Sequence, residues 1–137
     1  MTEGSKRVRI AARIFQYEKE LKHYLRERLE LVEPGLKLAD GGREREVATG
    51  KIDITAEDIN GNYVVIELKA GTCPTGALEQ VMGYSTDLEA ETGKPCRAVI
   101  VASDFPARIR AAAKRANEVY LVTYQIESMN VSGSALQ

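Results

Sequence analysis

The 137 residues are 44% hydrophobic and 28% charged, which suits one ordinary globular domain with enough apolar material for a core and no room for a second recognition domain. With 19 basic and 20 acidic residues the formal charge is −1, so attraction to phosphate has to come from local clusters rather than from the molecule as a whole. Cys73 and Cys96 lack CxxC spacing, His23 is a single histidine, and no apolar run reaches membrane-spanning length, which excludes a zinc ribbon, a disulfide scaffold and a membrane helix. The basic N-terminus has no apolar stretch behind it and is not a secretory signal, so a reduced, cytoplasmic protein is expected.

Over residues 9–32, Ile14, Tyr17, Leu21, Tyr24, Leu25 and Leu31 recur at three- and four-residue steps, predicting one long amphipathic helix ended by Pro34 and Gly35. Residues 36–40 and 43–48 flank Gly41 and Gly42 and read as a short hairpin or as a strand with a loop. Residues 52–57 and 63–70 are strands joined across Asn60 and Gly61, the strongest hairpin signal in the chain. A loop over 71–76 leads into a helix over 77–91 that Gly93 closes. The continuous apolar run 97–102 has the character of a strand buried on both faces. A helix over 106–117 and a last strand over 119–126 complete the pattern. Residues 1–127 are thus expected to form a single domain, with the Ser/Gly-rich stretch 128–137 as a flexible tail.

The central hairpin brings charges together. Side chains alternate along a strand, so Glu67 and Lys69 share one face and Ile66 and Leu68 the other, while Ile52 and Ile54 oppose Asp53 and Thr55. A two-residue loop at Asn60-Gly61 pairs Ile54 with Glu67 and sets charge against the core. A three-residue loop of Ile59, Asn60 and Gly61 instead pairs Ile54 with Ile66 and sets Asp53 opposite Glu67. Facing carboxylates repel by several kcal/mol at intermediate dielectric, and a hard divalent cation such as Mg²⁺ or Mn²⁺ resolves the conflict. The same pattern also fits a solvated salt-bridge ladder on the open face of a sheet.

The ordered set Asp53, then Glu67-Leu68-Lys69, then Gln80 through Tyr84 resembles the PD-(D/E)xK nuclease superfamily, in its RecB-like branch with a downstream QxxxY helix. With Glu18 to Leu21, Glu33 to Leu36, Arg43-Glu44, Gly50 to Asp53 and Asp58 to Gly61 added, residues 18–126 look more closely like the catalytic domain of NucS-type mismatch endonucleases. The resemblance implies a restriction-endonuclease-like α/β core, a mixed central sheet flanked by helices in the order αβββαβαβ. It implies a Mg²⁺- or Mn²⁺-dependent DNA endonuclease in which Asp53, Glu67 and the Leu68 carbonyl bind metal. Lys69 then serves the attacking water, and Gln80 and Tyr84, one helical turn apart, look back at the metal and the scissile phosphate. Glu18 and Glu44 are further acids able to reach the metal's surroundings, although Glu18 reads equally well as a solvated helix residue paired with Lys22 four positions on.

Ile52 stands where the motif's name has proline, a departure that this branch tolerates. The NucS-type N-terminal domain for DNA binding and dimerisation has no counterpart before the predicted first helix, so mismatch recognition is not carried over. The available phosphate contacts are Lys6, Arg7, Arg9 and Arg13, then Arg43 and Arg45, and finally Arg108, Arg110, Lys114 and Arg115, the last group reading better as a solubilising helix face. The same residues also fit a silent nucleic-acid-binding accessory subunit and an RNA-directed nuclease. Cutting both strands of a duplex calls for a homodimer or a partner protein, with Phe15, Leu29 and the edge strand near Leu36 to Val47 as the expected interface.

Overall fold

The valine- and isoleucine-rich runs form the middle of a six-stranded sheet in a computed structural model that describes residues 5–11 and 18–127, with side chains from Glu18 to Gln125. The strand order is β1 (Ser5–Ala11), β8 (Val119–Glu127), β7 (Cys96–Ala102), β6 (Tyr63–Leu68), β5 (Ile54–Glu57) and β2 (Lys37–Leu38). The first four of these run parallel, whereas β5 and β2 are antiparallel to their neighbours. The sheet is therefore mixed, as expected. Two short strands, β3 (Arg45–Val47) and β4 (Gly50–Ile52), pair in a separate ribbon.

Alternation along each strand supplies two cores. Val64, Ile66, Leu68, Val99 and Val101 pack with Leu21 and Leu25 of helix α1 (Glu18–Arg26), while Val65, Ala98 and Ile100 pack with Val81 and Leu88 of helix α2 (Ala77–Thr92) and Ala113 of helix α3 (Ala107–Arg115). Full burial of a side chain such as Ile100 stabilises the fold by about 1.5–3 kcal/mol. Because helices cover both faces, the charges on β6 are not on an open surface: Glu67 is 3% exposed, which rules out the solvated ladder. Among the described residues no helix is long and apolar enough to cross a membrane.

The expected hairpin register holds. Ile54 pairs with Ile66, and the Asp58 N–H donates to the Asn62 carbonyl at 2.8 Å, leaving Ile59, Asn60 and Gly61 as the loop. Gly61 takes the left-handed φ of +82° that closes such a loop without a Cβ clash, and the Asp58 carboxylate accepts the Asn60 and Asn62 N–H groups.

Several expectations are corrected. Residues 9–11, read as the start of a helix, belong to β1, which adds a strand ahead of the predicted αβββαβαβ order; Val8 and Ile10 alternate with Arg7 and Arg9, the period-two pattern of an edge strand. Residues 12–17, with Ile14 and Tyr17, lie outside the described residues, and the described remainder of the predicted long helix is broken into α1 and a 3-10 turn at Leu29–Leu31, where Leu29 and Val32 turn into the core. Leu29 is thus a core residue rather than an interface residue, and Phe15 lies outside the described residues. The stretches 36–40 and 43–48 do not form a hairpin with each other: β2 pairs with β5, and β3 with β4. The strand expected over 52–57 is interrupted at Asp53, so Ile52 packs on the α2 side and Ile54 on the α1 side instead of sharing a face.

Candidate active site

The interruption at Asp53 builds the site. Its peptide groups leave the sheet ladder: the N–H donates to Glu67 Oε2 at 2.8 Å, and the carbonyl accepts from Arg26 Nη2 at 2.7 Å. Asp53 Oδ2 in turn accepts the Leu68 N–H at 2.9 Å. Each carboxylate therefore commits one oxygen to the other strand's backbone. The remaining oxygens each face an ammonium group, Asp53 Oδ1 at 3.2 Å from Lys22 Nζ and Glu67 Oε1 at 4.0 Å from Lys69 Nζ.

Burial is the largest influence on Glu67, followed by the charge of Asp53, and together they push its carboxyl up to about 8 against the opposing Asp53 N–H and Lys69. Glu67 thus holds its proton well above the usual carboxylate range although Lys69 stands nearby. Burial also opposes the charge on Lys22, but hydrogen bonds to Glu44 and Asp53 and the charges of both carboxylates hold its pKa above the ordinary lysine value. The hydrogen bond from Lys22 holds Glu44 below the usual carboxylate range.

Lys69 is fixed from α2. Its Nζ donates to Gln80 Oε1 at 2.9 Å, and Gln80 Nε2 donates to the Tyr84 hydroxyl at 3.2 Å. The one-turn spacing of Gln80 and Tyr84 thus makes a relay of positioning contacts that ends under the β3–β4 ribbon. There a Cβ added to Gly50 would stand 2.5 Å from the Tyr84 hydroxyl oxygen and 2.9 Å from its ring, so the backbone passes where no side chain fits. The ribbon is pinned to α2 by Thr49, whose N–H and hydroxyl donate to Asp87, and by Arg45 at 3.2 Å from Glu91. Gly50→Ala is expected to displace the Tyr84 ring and cost about 1–3 kcal/mol of stability by overpacking, read as a lowered melting temperature. An unchanged melting curve would show that the ribbon gives way freely.

The other sequence candidates take different places. Glu44 joins the cluster through its hydrogen bond with Lys22. Glu18 accepts the Ala70 N–H at 3.0 Å, so it caps the end of β6 beside Lys69 rather than pairing with Lys22. Arg45 is engaged with Glu91, and Arg43 is exposed on the loop after Gly42. The side chains of Lys6, Arg7 and Arg9, and all of Arg13, lie outside the described residues. Both thiols are pushed up by burial, Cys96 to about 12 with Glu89 adding to the effect, which removes them as nucleophiles.

Sequence reasoning gave no site role to Asp40, Arg26 or Lys22, and all three take part. Asp40, fully enclosed, accepts from Arg26 Nη1 at 2.6 Å and from the Thr55 N–H at 3.1 Å, so a buried ion pair ties α1 to β5 immediately beyond Asp53. Lys22 is the third. The four-residue spacing of Glu18, Lys22 and Arg26, which sets them on one helix face, was the available signal.

Among the described residues no three His, Cys, Asp or Glu side chains converge, so a zinc-type ligand set is absent there. Mg²⁺ or Mn²⁺ asks less, because such ions keep much of their water shell and are held by one or two carboxylates. Two facing carboxyl groups, one of them pushed up by burial and by the charge of the other, fit that demand.

The mixed sheet flanked by helices is an architecture shared with repair endonucleases. The fold is similar to the crystal structure of a repair endonuclease from Pyrococcus abyssi, with a TM-score of 0.69 and 24% identity over 86% of this chain and 50% of that one. It is equally similar to the structure of an EndoMS–dsDNA complex, with a TM-score of 0.69 and 27% identity over 87% of this chain and 48% of that one. The chain belongs to the Endonuclease NucS C-terminal domain family, whose pattern matches residues 17–130. Endonuclease NucS of Methanopyrus kandleri is 31% identical over 108 residues, 79% of this chain and 41% of the relative. That of Thermococcus kodakarensis is 35% identical over 85 residues, 62% of this chain and 33% of the relative. The chain spans well under half the length of these curated relatives.

Proposed function

We propose that this chain hydrolyses DNA phosphodiester bonds as a Mg²⁺- or Mn²⁺-dependent endonuclease of the PD-(D/E)xK type, in its QxxxY branch. The observation that carries the reading is the crossed pair of Asp53 and Glu67, each with one oxygen fixed on the opposite strand and one left facing a lysine. Membership of a family whose curated relatives are named endonucleases supports it, and a relative solved with double-stranded DNA favours DNA over RNA.

Asp53 and Glu67, with the Leu68 carbonyl, would hold the ion. When bound, the ion supplies Lewis-acid charge for attack of water on phosphorus. Lys69 stands at the edge of the pair, where its ammonium stabilises the attacking oxygen as it loses its proton and the phosphate as negative charge builds in line. Gln80 holds Lys69 at that position, and Tyr84 holds Gln80. Lys69→Ala is expected to lower cleavage by about 10²–10³-fold while retaining Mn²⁺ binding in calorimetry, because the ammonium stands beside the ligands and not among them. Loss of Mn²⁺ binding in that variant would move Lys69 from chemistry to site assembly.

The decisive assay offers purified protein single-stranded, duplex, flapped and mismatched DNA and RNA, each with Mg²⁺, Mn²⁺ or EDTA. DNA cleavage abolished by EDTA is expected. Cleavage that survives EDTA, or that falls on RNA alone, would overturn the reading.

A further inference from the structure

Lys22 has no part in the chemistry above, yet its ammonium stands 3.2 Å from the Asp53 oxygen that the fold leaves over, and it also contacts Glu44. The side chain is 17% exposed and comes from the middle of α1, whose neighbours at four-residue spacing, Glu18 and Arg26, are bonded to the backbone at Ala70 and Asp53. Lys22 is therefore held on a clamped helix and is not a surface lysine that happens to reach an acid. A monovalent ammonium and a divalent ion cannot share one carboxylate oxygen at contact distance without strong repulsion.

We propose that Lys22 is a resident counter-cation of Asp53 that a divalent ion must displace, so that it sets the threshold of ion concentration at which the site fills. The proposal rests on the reading of Asp53 as a metal ligand. Before the ion arrives, Lys22 neutralises Asp53 and Glu44 and keeps the interrupted strand in place. On displacement its tether to Glu44 keeps the ammonium next to the site, still along the α1 surface lined by Lys19 and His23. A purely structural role predicts the opposite sign. If Lys22 only braced Asp53, removing it would loosen the ligand and weaken binding of the ion.

The test titrates Mn²⁺ into the full chain by calorimetry at fixed pH and low ionic strength, comparing wild type with Lys22→Met, Lys22→Gln and Lys22→Arg. The two neutral variants are expected to bind Mn²⁺ about tenfold more tightly, and the arginine variant within about threefold of wild type, with the difference shrinking as salt is added. In EDTA Lys22→Met should melt below wild type, and Mn²⁺ should raise its melting temperature by more than it raises that of wild type. Should Lys22→Met fail to fold, Lys22→Gln, which can still donate to Glu44, carries the comparison. Equal or weaker binding by the neutral variants, with wild type binding normally, overturns the counter-cation role and leaves the metal reading intact. Absence of Mn²⁺ binding in wild type and neutral variants alike overturns both.

Discussion

Replacing Asp53 with asparagine is expected to lower DNA cleavage by about 10³-fold while leaving the far-ultraviolet circular dichroism unchanged. Asparagine keeps an oxygen for the Leu68 N–H, which Asp53 Oδ2 accepts at 2.9 Å, so the crossing of the two strands survives while the charge is lost. Alanine is a less clean variant. It relieves the repulsion of Glu67, but it also leaves the buried Leu68 N–H without its acceptor and removes a carboxylate from Lys22, at a cost of about 1–3 kcal/mol. A stability gain from emptying the acid pair is therefore expected where the hydrogen bond is retained. Cleavage by Asp53→Asn at the wild-type rate would remove the nuclease assignment from this site.

Glu67→Gln, compared with wild type in EDTA, is expected to gain stability as pH rises. In the unfolded chain Glu67 releases its proton near the ordinary value of 4.5, whereas in the folded protein it keeps it to about 8. Between those values the folded state holds one proton more than the unfolded state, so the contribution of Glu67 to wild-type stability falls as pH rises from 4.5 to 8 and is constant beyond. The difference accumulated across that window is on the order of 4–5 kcal/mol. Glutamine does not titrate, and its carbonyl oxygen still accepts the Asp53 N–H. The two melting curves should therefore converge below pH 4.5 and separate up to pH 8, with the variant higher. A difference independent of pH would show that Glu67 is ionised throughout. With Mn²⁺ present the gap should narrow, because wild type then gains from ion binding that the variant has weakened.

Local sequence determined a large part of this architecture. Helix α2 runs Ala77–Thr92 and ends at Gly93 in the left-handed conformation, as its periodicity and its glycine required. The loop at Gly61 fixed the register of β5 on β6, and the apolar run at Cys96–Ala102 could only be a strand buried on both faces. The placement of Gln80 and Tyr84 on one helix face also followed from spacing, whereas the contact of Gln80 with Lys69 came only with the fold. Each of these rests on contacts between residues close in the chain, where hydrophobic period and backbone preference carry the information.

Tertiary structure decided the rest. Residues 9–11 became strand because β8 offered an edge to pair with, and their share in a helical stripe did not outweigh that ladder. Asp53 left its strand because its N–H, carbonyl and carboxylate found partners on Glu67, Arg26 and Leu68, none of them near it in sequence. Lys22 and Asp40 look in the sequence like a helix-border lysine and a turn aspartate. Only the packing of α1 against β5 and β6 makes one the counter-ion of Asp53 and the other a buried partner of Arg26. The raised pKa of Glu67 has the same origin, since the cost of a carboxylate depends on how much water remains around it and which charges face it, and those are set by residues distant in the chain.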